Sequence, residues 1–400
     1  MRLDMSKVRT VGLIIALALV ILPFLVQPAS ANPATRKESL ISYIGGRYDA
    51  VEGGYSVAGE TTSRIESTEA AALILDSLGY LSSRPPMIDL VKMKNFTQKV
   101  QWKTGAETYS RYGGFSSYIA GPVGIATTWT ALQLWNLFGE FTDIPHMGSI
   151  NFNVTAALIY FNKTQTTSGG FGNASGTAPD ILSTYFALDS LNMLLQLKPE
   201  ETRDKWLRNE TKTVEWILSC RVGNSFKLSP NSSVAGVTPT AAAVLALDSL
   251  SQLSSLTSSG DVAQWILSRQ VNSSLQGMAL GGFEEGPGTN DTNLVTTFYA
   301  VKGLQTLNAL SQCNLQSAAE FIIQCQAADG SWGNVPGLPL GALPIAGAAV
   351  DLLQILGFTS LLDQEDPNSL TPSLLDWRLV LVLSIIVVAA VVACVALRMD

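Results

Sequence analysis

The 400-residue sequence is short of charge, of histidine and of cysteine. Only 14% of its residues are charged, and the balance is −7. A nucleic-acid partner calls for a basic footprint, which this composition excludes. With 47% hydrophobic residues the chain is too apolar for disorder and can bury a sizeable core. The one histidine, His146, falls in Asp143-Ile144-Pro145-His146 with no second soft ligand spaced near it. It reads as a loop residue, which excludes a His-rich metal centre and leaves a Ser-His-Asp triad without a Gly-x-Ser-x-Gly partner. The cysteines are Cys220, Cys313, Cys325 and Cys394, with no Cys-x-x-Cys spacing. Cys394 lies in an apolar C-terminal run, so at most one disulfide can form, and the sequence does not choose its pair. No P-loop or dinucleotide fingerprint occurs.

What the chain does have are apolar ends. Arg2, Lys7 and Arg9 precede the run Val11 to Val26, which closes on Ala29-Ser30-Ala31. A basic flank, an apolar run and an Ala-x-Ala site predict a signal peptide over 1–31, although the run is also long enough for an uncleaved anchor. At the other end, Leu379 to Leu397 carries no charge and is flanked by Trp377-Arg378 and Arg398. That predicts a transmembrane helix over 377–397, a tail at 398–400, and a linker over 358–376. Asn95, Asn153, Asn162, Asn173, Asn209, Asn231, Asn272 and Asn290 each open a glycosylation sequon. With 18 Asn and about one residue in six Ser or Thr, chance gives about three. The excess points to a glycoprotein, membrane-anchored with its domain on the extracytoplasmic side.

The body repeats. Glycine turns recur at Gly53-Gly54-Tyr55, Gly113-Gly114-Phe115, Gly169-Gly170-Phe171, Gly281-Gly282-Phe283 and Gly330-Ser331-Trp332, with Asn224-Ser225-Phe226 filling the one gap. Upstream of each is an apolar helical run with an aromatic and, five residues on, a polar or capping residue. The pairs are Tyr43/Tyr48, Phe96/Gln101, Tyr160/Gln165, Trp216/Arg221, Trp265/Gln270 and Phe321/Gln326. Downstream comes a second helix rich in Ala and Leu, such as STEAAALILDSLG. A helix apolar on nearly every face is buried on all sides, so the second helices form an inner layer. The first carry more charge, and one holds the sequon Asn162, so they form an outer layer. Six such pairs make an open solenoid or a closed ring, and no sustained alternation supports a sheet.

At this point a resemblance carries the reading further. AAEFIIQCQAADGSWG, Ala318 to Gly333, resembles the QW repeat of squalene cyclases, and the glycine turns resemble those of protein prenyltransferase β subunits. The resemblance covers 39–357 and implies an all-α fold, an α/α toroid of inner and outer helices. It implies that Gln101, Gln165, Gln270, Gln326 and Trp332 are structural, Gln326 satisfying orphan amides at an inner-helix start with Trp332 stacked beside it.

The family's chemistry is harder to place. Prenyltransferase β subunits hold zinc through Asp-x-Cys at one inner-helix start and His at a later one. Here Asp180 is present, but Leu182 and Thr296 stand at the other two positions. The acidic Asp-x-Asp-Asp motif of cyclases and the Cys-Gly-Glu-Gln of thioester toroids are both lacking. No zinc, no cofactor and no catalytic residue is therefore expected. Hydroxyl-aromatic clusters at the inner-helix starts either fill the core or line the cavity mouth, with Trp129, Asp180, Tyr185, Phe186, Phe298 and Tyr299 as candidates. Acids at Glu60, Glu66, Glu69, Glu284, Glu285 and Asp291 read as solvated loop charge near the same rim. The expected function is a non-catalytic module that binds an apolar or isoprenoid ligand, or another surface protein. The alternative is an isoprenoid-handling transferase or cyclase with unconventional residues.

Overall fold

A computed structural model describes residues 33–83, 87–139, 147, 149–272, 279–289 and 291–369. The expected signal peptide, transmembrane helix and tail, together with His146, Asn290 and Cys394, lie outside the described residues. Among the described residues, no helix is long and apolar enough to cross a membrane. Residues 36–364 form one compact unit.

Among the described residues, twelve helices of nine residues or more alternate between two layers. The outer ones are α1 Arg36–Gly45, α3 Leu90–Lys99, α5 Val154–Thr164, α7 Glu210–Ser219, α9 Ser259–Leu267 and α11 Leu315–Gln324. The inner ones are α2 Ile65–Ser77, α4 Ile125–Phe138, α6 Ile181–Leu197, α8 Val237–Ser249, α10 Leu294–Thr306 and α12 Leu343–Leu356. Each inner helix packs on the next, and α12 packs back on α2, so the ring is closed. The 3-10 helix Thr359–Asp363 follows α12 and packs on α1, so part of the expected linker belongs to the toroid.

The glutamine has a different partner from the one expected. Outer helices start with orphan N–H groups just as inner ones do, and the glutamine reaches an outer start. Gln101 Nε2 donates to the Asn153 carbonyl at 2.9 Å and its Oε1 accepts from Asn153 N at 2.8 Å, where Asn153 caps α5. Gln270 makes the same pair of bonds to Asn314, the cap of α11. Gln165 accepts from Arg208 N at 2.7 Å, just ahead of α7. Arg221 substitutes by donating to Thr257 Oγ1, just ahead of α9. Gln326 closes the circle: its Oε1 accepts from Arg36 Nη1 at 2.6 Å, at the start of α1.

Inner-helix starts are served by the residue two beyond the turn aromatic. Asn173 Oδ1 accepts from Ile125 N and Ala126 N, Glu285 Oε1 from Thr238 N, and Asn334 Oδ1 from Val295 N. Each glutamine pairs with the turn aromatic across a single antiparallel bridge: Gln101 with Phe115, Gln165 with Phe171, Gln270 with Phe283 and Gln326 with Trp332. The bridges extend into ribbons two or three residues long, such as Tyr55–Ser56 on Ser63–Arg64. A two-residue strand has no periodicity, which is why the sequence pattern gave no sheet signal.

The aromatics are wedges. Tyr55, Phe115, Phe171, Phe226, Phe283 and Trp332 are all fully buried. Each contributes about 2–3 kcal/mol on burial. In five repeats a buried threonine fixes the wedge: Thr68, Thr128, Thr184, Thr240 and Thr297 accept from its backbone N–H at 2.9–3.0 Å. These hydroxyls belong to the scaffold, not to a cavity mouth. The second turn glycine takes the ring of the next outer helix: a Cβ on Gly170 would stand 2.5 Å from Trp216, and one on Gly282 2.9 Å from Phe321.

Cys220, Cys313 and Cys325 are unpaired and buried. Burial pushes their thiols up to about 12, 11 and 12, so none is a ready nucleophile.

Gly113 shows how tight the repeat contact is. Its φ is +91°, and a Cβ there would stand 1.7 Å from the Ala156 carbonyl oxygen of α5. Gly176 has a similar φ of +84° with nothing within 4 Å. Gly113→Ala should lower stability by about 3 kcal/mol or more, and Gly176→Ala by only about 1 kcal/mol, in urea unfolding monitored by circular dichroism. Equal losses would mean that the repeats are not in contact at this turn.

Candidate functional site: the central cavity

Six inner helices leave a cavity of about 550 Å³ along the ring axis, lined from every one of them. Its wall runs from Glu66 to Ser77 on α2, roughly 16 Å at 1.5 Å per residue. Trp129, Tyr185, Phe186, Phe298 and Tyr299 all face it. Trp129 stacks on Phe186 at 4.6 Å, and Phe298 meets Tyr299 edge-on at 5.6 Å. Asp180 is not part of the lining. It caps α6, its Oδ1 accepting from Ser183 N at 2.8 Å and its Oδ2 from Ser183 Oγ at 2.6 Å.

The charged lining was read differently from sequence. Glu66, Glu69 and Asp76 of α2, Asp351 of α12 and Lys302 of α10 line the cavity. Glu66 and Glu69 were expected as loop charge, but α2 starts at Ile65 and carries both inward. Glu60, by contrast, is surface charge paired with Arg64 at 2.6 Å. Glu284 pairs with Arg269 at 2.9 Å. Lys302 and Asp351 form an ion pair at 3.1 Å. Glu66 accepts from Ser117 Oγ at 2.7 Å. Asp189, just behind the wall, accepts from Trp129 Nε1 at 2.7 Å and Gln133 Nε2 at 3.1 Å. One signal could have found these groups: Asp189, Lys302 and Asp351 are each the one charge within an inner helix that is otherwise largely apolar, and Glu69 stands in a run of small and apolar residues.

Burial sets the protonation of this site. It pushes the Glu69 carboxyl up to about 8, with Asp351 and then Glu66 adding like-charge repulsion. Water reaches Glu69 from the cavity, but protein surrounds it. Burial raises Asp189 too, opposed by its bond from Trp129 and by the Lys302 charge. Tyr185 and Tyr299 are held neutral, chiefly by burial.

The zinc of the related transferases does not fit the corresponding positions. Both Asp180 oxygens are committed to the α6 cap. Leu182 offers no donor atom and packs against the core. Thr296 donates its hydroxyl to Glu285 at 2.8 Å. Among the described residues, no group of three His, Cys, Asp or Glu side chains is placed to hold a metal.

A closed ring of six helical hairpins around a lined central cavity defines an α/α toroid. The family profile described as prenyltransferase alpha-alpha toroid domain matches residues 13–205 and again 175–378, and the chain belongs to that family. No curated protein matches the sequence. Among solved structures, protein geranylgeranyltransferase-I of Candida albicans, complexed with GGPP, is similar at a TM-score of 0.60 and 16% identity, over 77% of this chain and 88% of that one. A GH76 α-mannanase of Bacteroides thetaiotaomicron is similar at a TM-score of 0.53 and 9% identity, over 81% and 94%. A type II terpene cyclase of Scytonema gives a TM-score of 0.49 at 11% identity, over 82% and 97%. At such identities the first two share a fold with this chain, and a fold does not fix a chemistry.

Two substitutions separate the cap from the cavity. Asp180→Ala should cost about 1 kcal/mol, the worth of a helix cap, in thermal or urea unfolding. Glu69 gives a pH signature. Between its ordinary value of 4.5 and about 8, the folded protein keeps a proton that the unfolded chain has lost. Its contribution is therefore full below pH 4.5 and falls away as pH rises towards 8. Glu69→Gln should flatten the stability profile over that window, by on the order of a few kcal/mol at its upper end. An unchanged slope would mean that Glu69 titrates normally.

Proposed function

We propose that this protein is a non-catalytic, ligand-binding toroid held at the extracytoplasmic face of a membrane by its C-terminal segment. The observation that carries the reading is the division of labour among the inner-helix starts. The positions that would hold zinc in a transferase are committed to capping and packing, while the cavity keeps an aromatic wall and room for a ligand. A zinc-activated thiolate, the step that protein prenyl transfer resembles, has no support from these residues. The aromatic wall suits an apolar ligand or the apolar part of one.

The surface supports export. Asn95, Asn153, Asn173, Asn209, Asn231 and Asn272 are exposed, on outer helices, their caps or loops. Asn162 is on outer helix α5 as expected, but it is half-buried and its Nδ2 donates to the Trp206 carbonyl at 3.0 Å. A glycan on that half-buried nitrogen would crowd the bond, so Asn162 should be the least modified of these sites.

Two measurements test the reading. Full-length protein produced in a glycosylating host should lose mass on glycosidase treatment, and peptide mapping should find glycans at the exposed sequons with Asn162 lowest. Incubation with a prenyl diphosphate, a cysteine-bearing peptide and zinc should give no transfer. Zinc-dependent prenylation, lost in Asp180→Ala, would restore the transferase; a chain unglycosylated in that host would remove the support for export.

A further inference from the structure

The cavity's charge is unbalanced. Four carboxyl groups line it against one ammonium, and that ammonium, Lys302, is paired with Asp351. Glu66 has its Ser117 partner and Asp189 has Trp129 and Gln133. Glu69, half-buried on the cavity wall, has neither a hydrogen bond nor an ion pair to any described residue. A carboxylate left unpaired in such a place is costly. Burial holds a proton on it up to about pH 8, and a positive charge beside it would release that proton.

The part of the wall carried by α4 and α6 suits positive charge. Trp129 and Phe186 present a stacked pair, with Tyr185 at 5.4 Å from Phe186. Ring faces attract ammonium groups, more strongly where water is excluded. The protein's own ammonium makes such a contact elsewhere on the lining: Lys302 Nζ sits 5.5 Å from the centre of the Phe298 ring, one turn back on α10.

We propose that the central cavity binds an organic cation, an amine or quaternary ammonium, held between the Glu69 carboxylate and the aromatic wall. The proposal deepens the ligand-binding reading and rests on it. A diphosphate would bring negative charge among acids whose one ammonium neighbour is already paired. A neutral sugar could hydrogen-bond but would gain nothing from the loss of the Glu69 proton.

Binding should be linked to protons. The titratable groups that share the cavity wall with Glu69 are Glu66 and Asp76 of α2, Asp351 of α12, Lys302 and Tyr299 of α10 and Tyr185 of α6, with Asp189 of α6 just behind it; α4 contributes Trp129 and Gln133, which carry no charge. Among them Glu69 is the group poised to change charge at neutral pH. Below about 8 an entering cation must displace its proton, so affinity should rise with pH and level off above that value.

The test is calorimetric titration of the full-length protein in detergent at pH 6.5 and 8. The probes are choline, benzyltrimethylammonium and spermidine, with 3,3-dimethylbutanol as the uncharged isostere of choline, methyl α-mannoside and geranylgeranyl diphosphate. At least one cation should bind at pH 8 about tenfold or more tightly than the uncharged probes, and several-fold more weakly at pH 6.5. Glu69→Gln should weaken the cation about tenfold and abolish the pH dependence, while Asp180→Ala leaves both unchanged. Phe186→Leu, which keeps the charge, provides a second variant should Glu69→Gln fail to fold, and it should weaken the cation more than the isostere. Equal binding of cation and isostere, or tighter binding of the sugar or diphosphate, would overturn the cation and leave a ligand-binding toroid. Binding of none of the six would overturn both.

Discussion

Twelve helices in a ring have twenty-four ends, and every end leaves backbone groups without intrahelical partners. Satisfying those groups is the constraint on which the fold depends. The chain meets it by making each repeat serve its neighbours. In four of the six a glutamine reaches forward to the next outer helix, as Gln101 does to Asn153. The residue two past its aromatic reaches back to the previous inner helix, as Asn173 does to Ile125. No hairpin is complete alone, and the last bond of the series, Arg36 to Gln326, needs the circle closed.

The cavity follows from that arrangement. Because the turns hold the repeats together, the ring-facing surfaces of the inner helices need not meet at the axis. They are free to carry residues that a packed core would reject, Glu69 and Lys302 among them. Elsewhere the same helices are tightly packed: a Cβ on Gly303 would stand 2.9 Å from Ala241, and one on Gly347 3.0 Å from Ala70.

The toroid was legible in the sequence because six spaced turns and six pairs of helices leave few alternatives. Trp129, Tyr185, Phe186, Phe298 and Tyr299 were legible because aromatics beside hydroxyls at inner-helix starts stand out. What the sequence hid was partnership. Gln326 could serve an inner or an outer helix start, since both offer orphan amides, and only the geometry chooses. Lys302 and Asp351 lie on separate helices, and nothing local marks them as a pair. Glu66 and Glu69 looked like rim charge because the start of α2 was ambiguous by a few residues, enough to move a carboxylate from solvent to the ring axis.

Arg36 N donates to the Gln364 carbonyl at 2.9 Å, so the toroid begins and ends at the same place. Its six seams are equivalent in kind, and the seam that happens to hold the termini is closed like the others. The order of the repeats is therefore a circle with an arbitrary cut. A chain re-spliced through a short linker from 364 to 36 and opened at another exposed turn, such as the one at Gly176, would contain the same seams in a different covalent order. The architecture belongs to the cycle of repeats, not to the direction in which the ribosome first reads it.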